Sequence, residues 1–180
     1  MGMSIRLMLF TGMRMQELLA LEPRHISADG SAILIEQAVK LEKGTVTVGG
    51  PKTQASHRVI PVPSNVQSCA VALRNTGKKY IWEVGKRDCP CNPSYFRKQF
   101  KAALSKMEGV RILTPHCCRH TYVSQMRAME IQPFVLMSLT GHSNEKMVAH
   151  DTHVQEDARK AACERLAQAY PIQKLSCNVL

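Results

Sequence analysis

The chain has 180 residues, with 24 Lys or Arg against 14 Asp or Glu, for a formal net charge of +10. That length suits one compact domain, and 44% apolar with 21% charged residues exclude wholesale disorder. The charge favours a polyanionic partner, nucleic acid or an anionic membrane surface, while no stretch approaches the ~20 apolar residues of a bilayer-spanning helix.

The N-terminus has no secretory pattern, so the chain reads as cytosolic. Seven cysteines at irregular spacing read as reduced thiols. Cys89-Pro90-Cys91 lacks the second ligand pair of a zinc site. No metal site is read from the sequence.

In chain order, Ser4 to Phe10 predicts a mostly buried helix broken at Gly12. A second helix follows from Arg14, with Thr11 as its candidate N-cap and Pro23 as its stop. Between Ala28 and Pro63 the texture changes. Asp29-Gly30 marks a turn, AILIEQAV is rich in β-formers, TVTV alternates after Gly44, and HRVIPVP follows a polar turn. These segments predict a small three-stranded antiparallel sheet. Helices are then expected from Ser64 to about Arg74, from Asn92-Pro93 to about Met107, after Pro115, and in shorter pieces around Phe134, Glu145 and Ala158. The fold class is α+β, mostly α-helical with that one small sheet.

Charge is concentrated between Arg74 and Lys106, where nine basic residues stand against Glu83 and Asp88. Lys78 and Lys79 begin this run. Helical spacing places Arg97, Lys98 and Lys101 on one face, as a helix along a phosphate backbone requires. A solvated surface helix is the alternative.

Five motifs stand in order: TGMRMQELLALEPRHI at 11–26, PKTQASHRVIPVP at 51–63, TPHCCRHTYVSQM at 114–126, LTGHSN at 139–144 and HDTHV at 150–154. Together they resemble the catalytic domain of tyrosine recombinases, the phage-integrase family, which includes integrases of conjugative transposons. The resemblance implies that Arg14 is the first catalytic arginine, Lys52 the hairpin lysine, His116 and Arg119 an H-x-x-R pair, and His142 the later histidine. It also implies DNA cutting and rejoining through a 3′-phosphotyrosyl intermediate, with double-stranded DNA as partner and no cofactor.

The chemistry is coherent on its own terms. Transesterification of a phosphodiester loads charge onto non-bridging oxygens, and the motifs hold no carboxylate cluster suited to a metal. Guanidinium forks meet that demand bidentately and stay charged. Lys52, at a polar turn, is placed to protonate a departing 5′ oxygen; His116 hydrogen-bonds the phosphate or handles the nucleophile's proton. Glu17, His120 and Tyr122 flank the motifs and read as structural support. His25, His57 and His153 carry no argued role.

In the family pattern the nucleophilic tyrosine lies nine residues after the second histidine. That position is Asp151, followed by Thr152-His153-Val154. Tyr80, Tyr95, Tyr122 and Tyr170 fall elsewhere in the pattern. An aspartate repels the scissile phosphate and yields only a labile acyl phosphate, so DNA binding without cleavage is expected. Asp151 is either an introduced inactivating substitution or the mark of a natural degenerate copy. A non-catalytic DNA-binding regulator derived from a recombinase is the alternative function, with a type IB topoisomerase a more distant one.

The resemblance further implies that 1–180 form a single catalytic domain without the family's N-terminal clamp and arm-binding domains. It places the protein in the bacterial cytoplasm on the nucleoid. The 155–180 helix and tail is expected to contact a neighbouring protomer in a synaptic tetramer, or to dock on its own domain, with a monomer when free.

Overall fold

A computed structural model describes residues 1–42, 44–50, 57–84, 88–141 and 156–171. Helix α1 (Gly2–Thr11) buries Leu7 and Met8 and ends where Gly12 enters the left-handed region at φ 63°, its N–H on Met8 O at 3.1 Å. Thr11 is not the cap of the next helix. It closes α1, its hydroxyl donating to Leu7 O at 2.6 Å. The N-cap of α2 (Met15–Ala20) is Arg14, whose backbone N–H donates to Glu17 Oε2 at 2.7 Å. A carboxylate three residues into the helix thus replaces the expected hydroxyl.

The sheet also departs from expectation. AILIEQAV, read as one strand, is two: β1 (Ala32–Ile35) and β2 (Ala38–Glu42). β1 pairs with β4 (Arg58–Pro61), and β2 with β3 (Thr45–Gly49), in two antiparallel two-stranded sheets where a single three-stranded one was predicted. The break comes at Glu36 and Gln37, whose side chains turn to partners at the α2 end. Gln37 donates to Ala20 O at 2.6 Å and to Glu22 Oε1 at 3.1 Å. Glu36 meets the buried ring of His25 at 2.8 Å. Because His25 Nδ1 accepts from the Glu22 backbone N–H at 3.0 Å, its Nε2 carries the proton that Glu36 receives. His25 is therefore a fastener between the β1–β2 break and the 3₁₀ turn Pro23–His25.

A 3₁₀ turn at Ser64–Val66 leads into α3 (Gln67–Arg74). α4 (Pro93–Leu104) starts on Asn92, whose Oδ1 accepts from Ser94 N at 2.8 Å, and buries Phe96 against the edge of Trp82 at 4.9 Å. α5 (His116–Ala128) follows Pro115 as expected. α6 (Pro133–Thr140) ends on Gly141, left-handed at φ 66°.

The core has two apolar clusters. One joins α1 and α2 to the strands, α3 and α4; the other joins α5, α6 and α7 (Glu156–Ala169), and Phe10 of α1 packs on both. α7 docks on its own chain through buried Ala162, Cys163 and Leu166. Glu164 accepts from Ser64 N at 3.0 Å and Ser64 Oγ at 2.7 Å, Cys163 Sγ donates to Pro61 O, and Arg159 donates to Val59 O. No described helix is long and apolar enough to cross a membrane.

Candidate functional site

Of the six positions assigned to chemistry, Arg14, His116 and Arg119 are described; Lys52, His142 and Asp151 lie outside the described residues. The three come from separate parts of the chain, the α1–α2 turn and the first turn of α5, and the packing of α1 on α5 brings them together. Gly12 makes this approach work. A Cβ there would sit 2.4 Å from the Tyr122 ring, so only glycine lets the turn lie on α5.

Arg119 is buried, and its Nη1 donates to Gly12 O at 2.8 Å. Arg14 is half-buried; its Nη1 bonds Glu17 Oε1 at 3.0 Å and its Nη2 donates to Gly141 O at 3.2 Å. Each arginine is therefore anchored on the carbonyl of a left-handed glycine that ends a helix, Gly12 after α1 and Gly141 after α6. Such ends carry unsatisfied carbonyls and the negative pole of the helix dipole, a natural seat for guanidinium.

Beneath them, sharing Glu17, lies a residue that sequence reading missed. Arg58 is buried, and its Nη1 and Nη2 bond Glu17 Oε1 and Oε2 at 3.0 and 2.9 Å while its Nε donates to Leu139 O at 2.9 Å. The signal was present in HRVIPVP: strand alternation puts residue 58 on the face of Ile60, and an arginine on a core face needs a buried acid.

The electrostatics follow from this packing. Burial alone would raise the Glu17 carboxyl, but the hydrogen bonds and charge of Arg58, joined by Arg14, outweigh it and hold its pKa below the ordinary value. Burial, with the like charges of Arg14 and Arg58, pushes Arg119 down to about 10, so it remains charged at neutral pH. His116 is exposed with its ring edge on His120 at 4.6 Å. Partial burial and then His120, Arg119 and Arg14 lower its pKa, which favours the neutral imidazole, able to accept a proton. Among the described residues, the cluster holds three guanidiniums against the one carboxylate of Glu17.

The basic stripe is of another kind. Arg97, Lys98 and Lys101 are exposed along α4. Lys78 and Lys79 are exposed in the loop after α3, Lys78 donating to Glu83 O at 3.2 Å and Lys79 lying over the Tyr80 ring at 5.6 Å. Arg74, counted with this run in the sequence, turns inward and donates to Pro23 O and Ile26 O. Lys86 and Arg87 lie outside the described residues.

Residues 2–158 match the phage integrase family, a span that contains all five motifs. The chain belongs to the phage integrase family. An integrase of Staphylococcus phage L54a is 28% identical over 168 residues, covering 85% of this chain and 48% of the relative. A XerC-like tyrosine recombinase of Caldanaerobacter subterraneus is 27% identical over 184 residues, covering 87% and 46%. The chain thus spans about half the length of the curated relatives it matches. Among solved structures, the Tn1549 transposon integrase in complex with transposon right end DNA aligns at 25% identity and a TM-score of 0.67, covering 92% of this chain and 58% of that one. The integrase of mycobacterium phage Brujita aligns at 18% identity and a TM-score of 0.68, covering 98% and 54%; at that identity it speaks for the fold alone. The mostly helical fold with small antiparallel sheets is the fold of these integrase structures.

Proposed function

We propose that this chain is the strand-cutting portion of a site-specific DNA recombinase. Arg14 and Arg119 would grip one scissile phosphate of duplex DNA, and the exposed basic stripe on α4 would hold flanking backbone. The reading rests most on one observation: two arginines from separate elements are locked on helix-end carbonyls beside the Glu17 carboxylate in a partly desolvated site, where guanidiniums outnumber carboxylates among the described residues. A phosphodiester presents the oxygens that such guanidinium forks bond, and donors fixed in advance need no rearrangement as charge builds on those oxygens.

In this reaction a tyrosine oxygen attacks phosphorus, the P–O5′ bond breaks, and the departing oxygen takes a proton from Lys52. The neutral His116 accepts a proton or bonds the phosphate. The attacking group is what the sequence lacks, since Asp151 occupies its position. The chain as it stands would bind duplex DNA without forming the covalent intermediate.

The test is Asp151→Tyr with a nicked suicide duplex carrying the recombination site. A covalent 3′-phosphotyrosyl adduct, resistant to denaturant and sensitive to protease, is expected from the variant and not from the parent. Tight duplex binding by the variant with no adduct would instead assign the chain as a non-catalytic DNA-binding regulator, the reading that Asp151 itself favours.

A further inference from the structure

Arg58 does more than neutralise a buried acid. Among the described residues its hydrogen bonds reach two elements, with both terminal nitrogens on Glu17 of α2 and Nε on Leu139 O near the end of α6. Arg14 repeats the pattern, with one nitrogen on Glu17 and another on Gly141 O. Two guanidiniums thus share one carboxylate and reach two carbonyls, two residues apart, of the same helix end.

Stability does not require this arrangement. A buried ion pair replaced by apolar groups of similar volume is often no less stable, so neutralising Glu17 is a weak reason for an arginine here. What the fork adds is direction. A lysine at 58 offers a compact charge unable to span both Glu17 oxygens and the Leu139 carbonyl at once.

We infer that Arg58 is a positioning residue: through Glu17 it fixes the orientation of Arg14, and through Leu139 O it fixes the end of α6 on which Arg14 is also held, so that the Arg14 guanidinium is aimed at the phosphate. This rests on the recombinase reading above. Beta-strand β4, through Arg58, thereby ties its position to the site.

Two variants test it in the Asp151→Tyr chain, measured at saturating duplex: Arg58→Lys, and the paired change Glu17→Gln with Arg58→Met, which removes both buried charges at near-constant volume. The paired variant is expected to keep a thermal midpoint within a few degrees of its parent and an unchanged duplex Kd, yet to form adduct about a hundredfold more slowly, the penalty of a small misplacement of catalytic groups. Arg58→Lys is expected to lose about tenfold in the same rate, since charge is kept and direction is lost. Parental rates in either folded variant would overturn the proposal. A second readout needs no cleavage: hydrogen exchange of the Gly141 amide, bonded to Met137 O at 2.8 Å, is expected to accelerate at least tenfold in the paired variant of the chain that keeps Asp151. Unchanged protection there overturns the positioning role. Accelerated exchange in a chain whose Asp151→Tyr form makes no adduct keeps the positioning of Arg14 and α6 and removes the recombinase reading.

Discussion

The arginine cluster around Glu17 and the basic stripe along α4 carry the same sign and obey different physics. In the cluster, Arg58 and Arg119 are buried, each guanidinium is oriented by carbonyls or a carboxylate at 2.8 to 3.2 Å, and burial shifts titration. On the stripe, Arg97, Lys98 and Lys101 are exposed and, among the described residues, form no ion pair. Water screens the second set and leaves its side chains free to follow any phosphate backbone. The first set is fixed in place before any ligand arrives. The +10 of the whole chain is therefore a poor guide to either role, because what separates them is the protein atoms each cation must leave or keep.

Five experiments strain this contrast, from the largest expected effect down. Glu17→Leu takes from buried Arg58 the carboxylate that both its terminal nitrogens bond, and should cost about 3–5 kcal/mol of stability in denaturant unfolding; a loss comparable to a stripe mutant's would erase the distinction. The same carboxylate sets an acid limit. Its folded pKa lies below the ordinary 4.5, so the stability it contributes is complete above that value and drains as pH falls through the folded pKa. Unfolding midpoints of the parent should drop as pH falls below about 4.5, with a shallower drop in the Glu17→Leu chain.

Next, Arg14→Ala in the Asp151→Tyr chain should slow adduct formation by about 10²–10³-fold, or ~3–4 kcal/mol of transition-state stabilisation, with little change in duplex affinity. Gly12→Ala forces a left-handed alanine and drives its Cβ into Tyr122, for a loss of about 3 kcal/mol read from the unfolding midpoint. Smallest are Lys98→Ala and Lys101→Ala. Each should leave stability within about 0.5 kcal/mol and lower the slope of log binding constant against log salt by about 0.9. An unchanged slope would remove those residues from the DNA-facing surface.

Much of this was legible in the sequence for identifiable reasons. Helix boundaries were punctuated by Gly12, Pro23, Pro93 and Pro115, each acting on the backbone directly, so local pattern sufficed. Arg14, His116 and Arg119 were singled out through motif order, and the first turn of α5 places the latter two one turn apart as their spacing requires. What escaped was long-range. The split of AILIEQAV depends on His25 and Ala20 arriving from another segment to claim Glu36 and Gln37. Thr11 looked like a cap until Glu17 took that work. Arg58, 41 residues from Glu17, becomes intelligible only once β4 and α2 face one another. Polar groups that find their partners across the fold leave no periodicity behind, only a charge where alternation predicts an apolar side chain.

The connection between α1 and α2 is three residues long, and both of its ends are pinned: Gly12 by Arg119 and the Tyr122 ring, Arg14 by Glu17 and Gly141. Adding or removing one residue changes the reach of a chain by about 3.8 Å, more than hydrogen bonds of 2.7 to 3.2 Å can absorb. Surface connections elsewhere in proteins drift in length between relatives. This turn has no such freedom: its residue count is as much a part of the site as its arginine, and an insertion or deletion here would disconnect the two helices' contributions while leaving every side chain in the sequence intact.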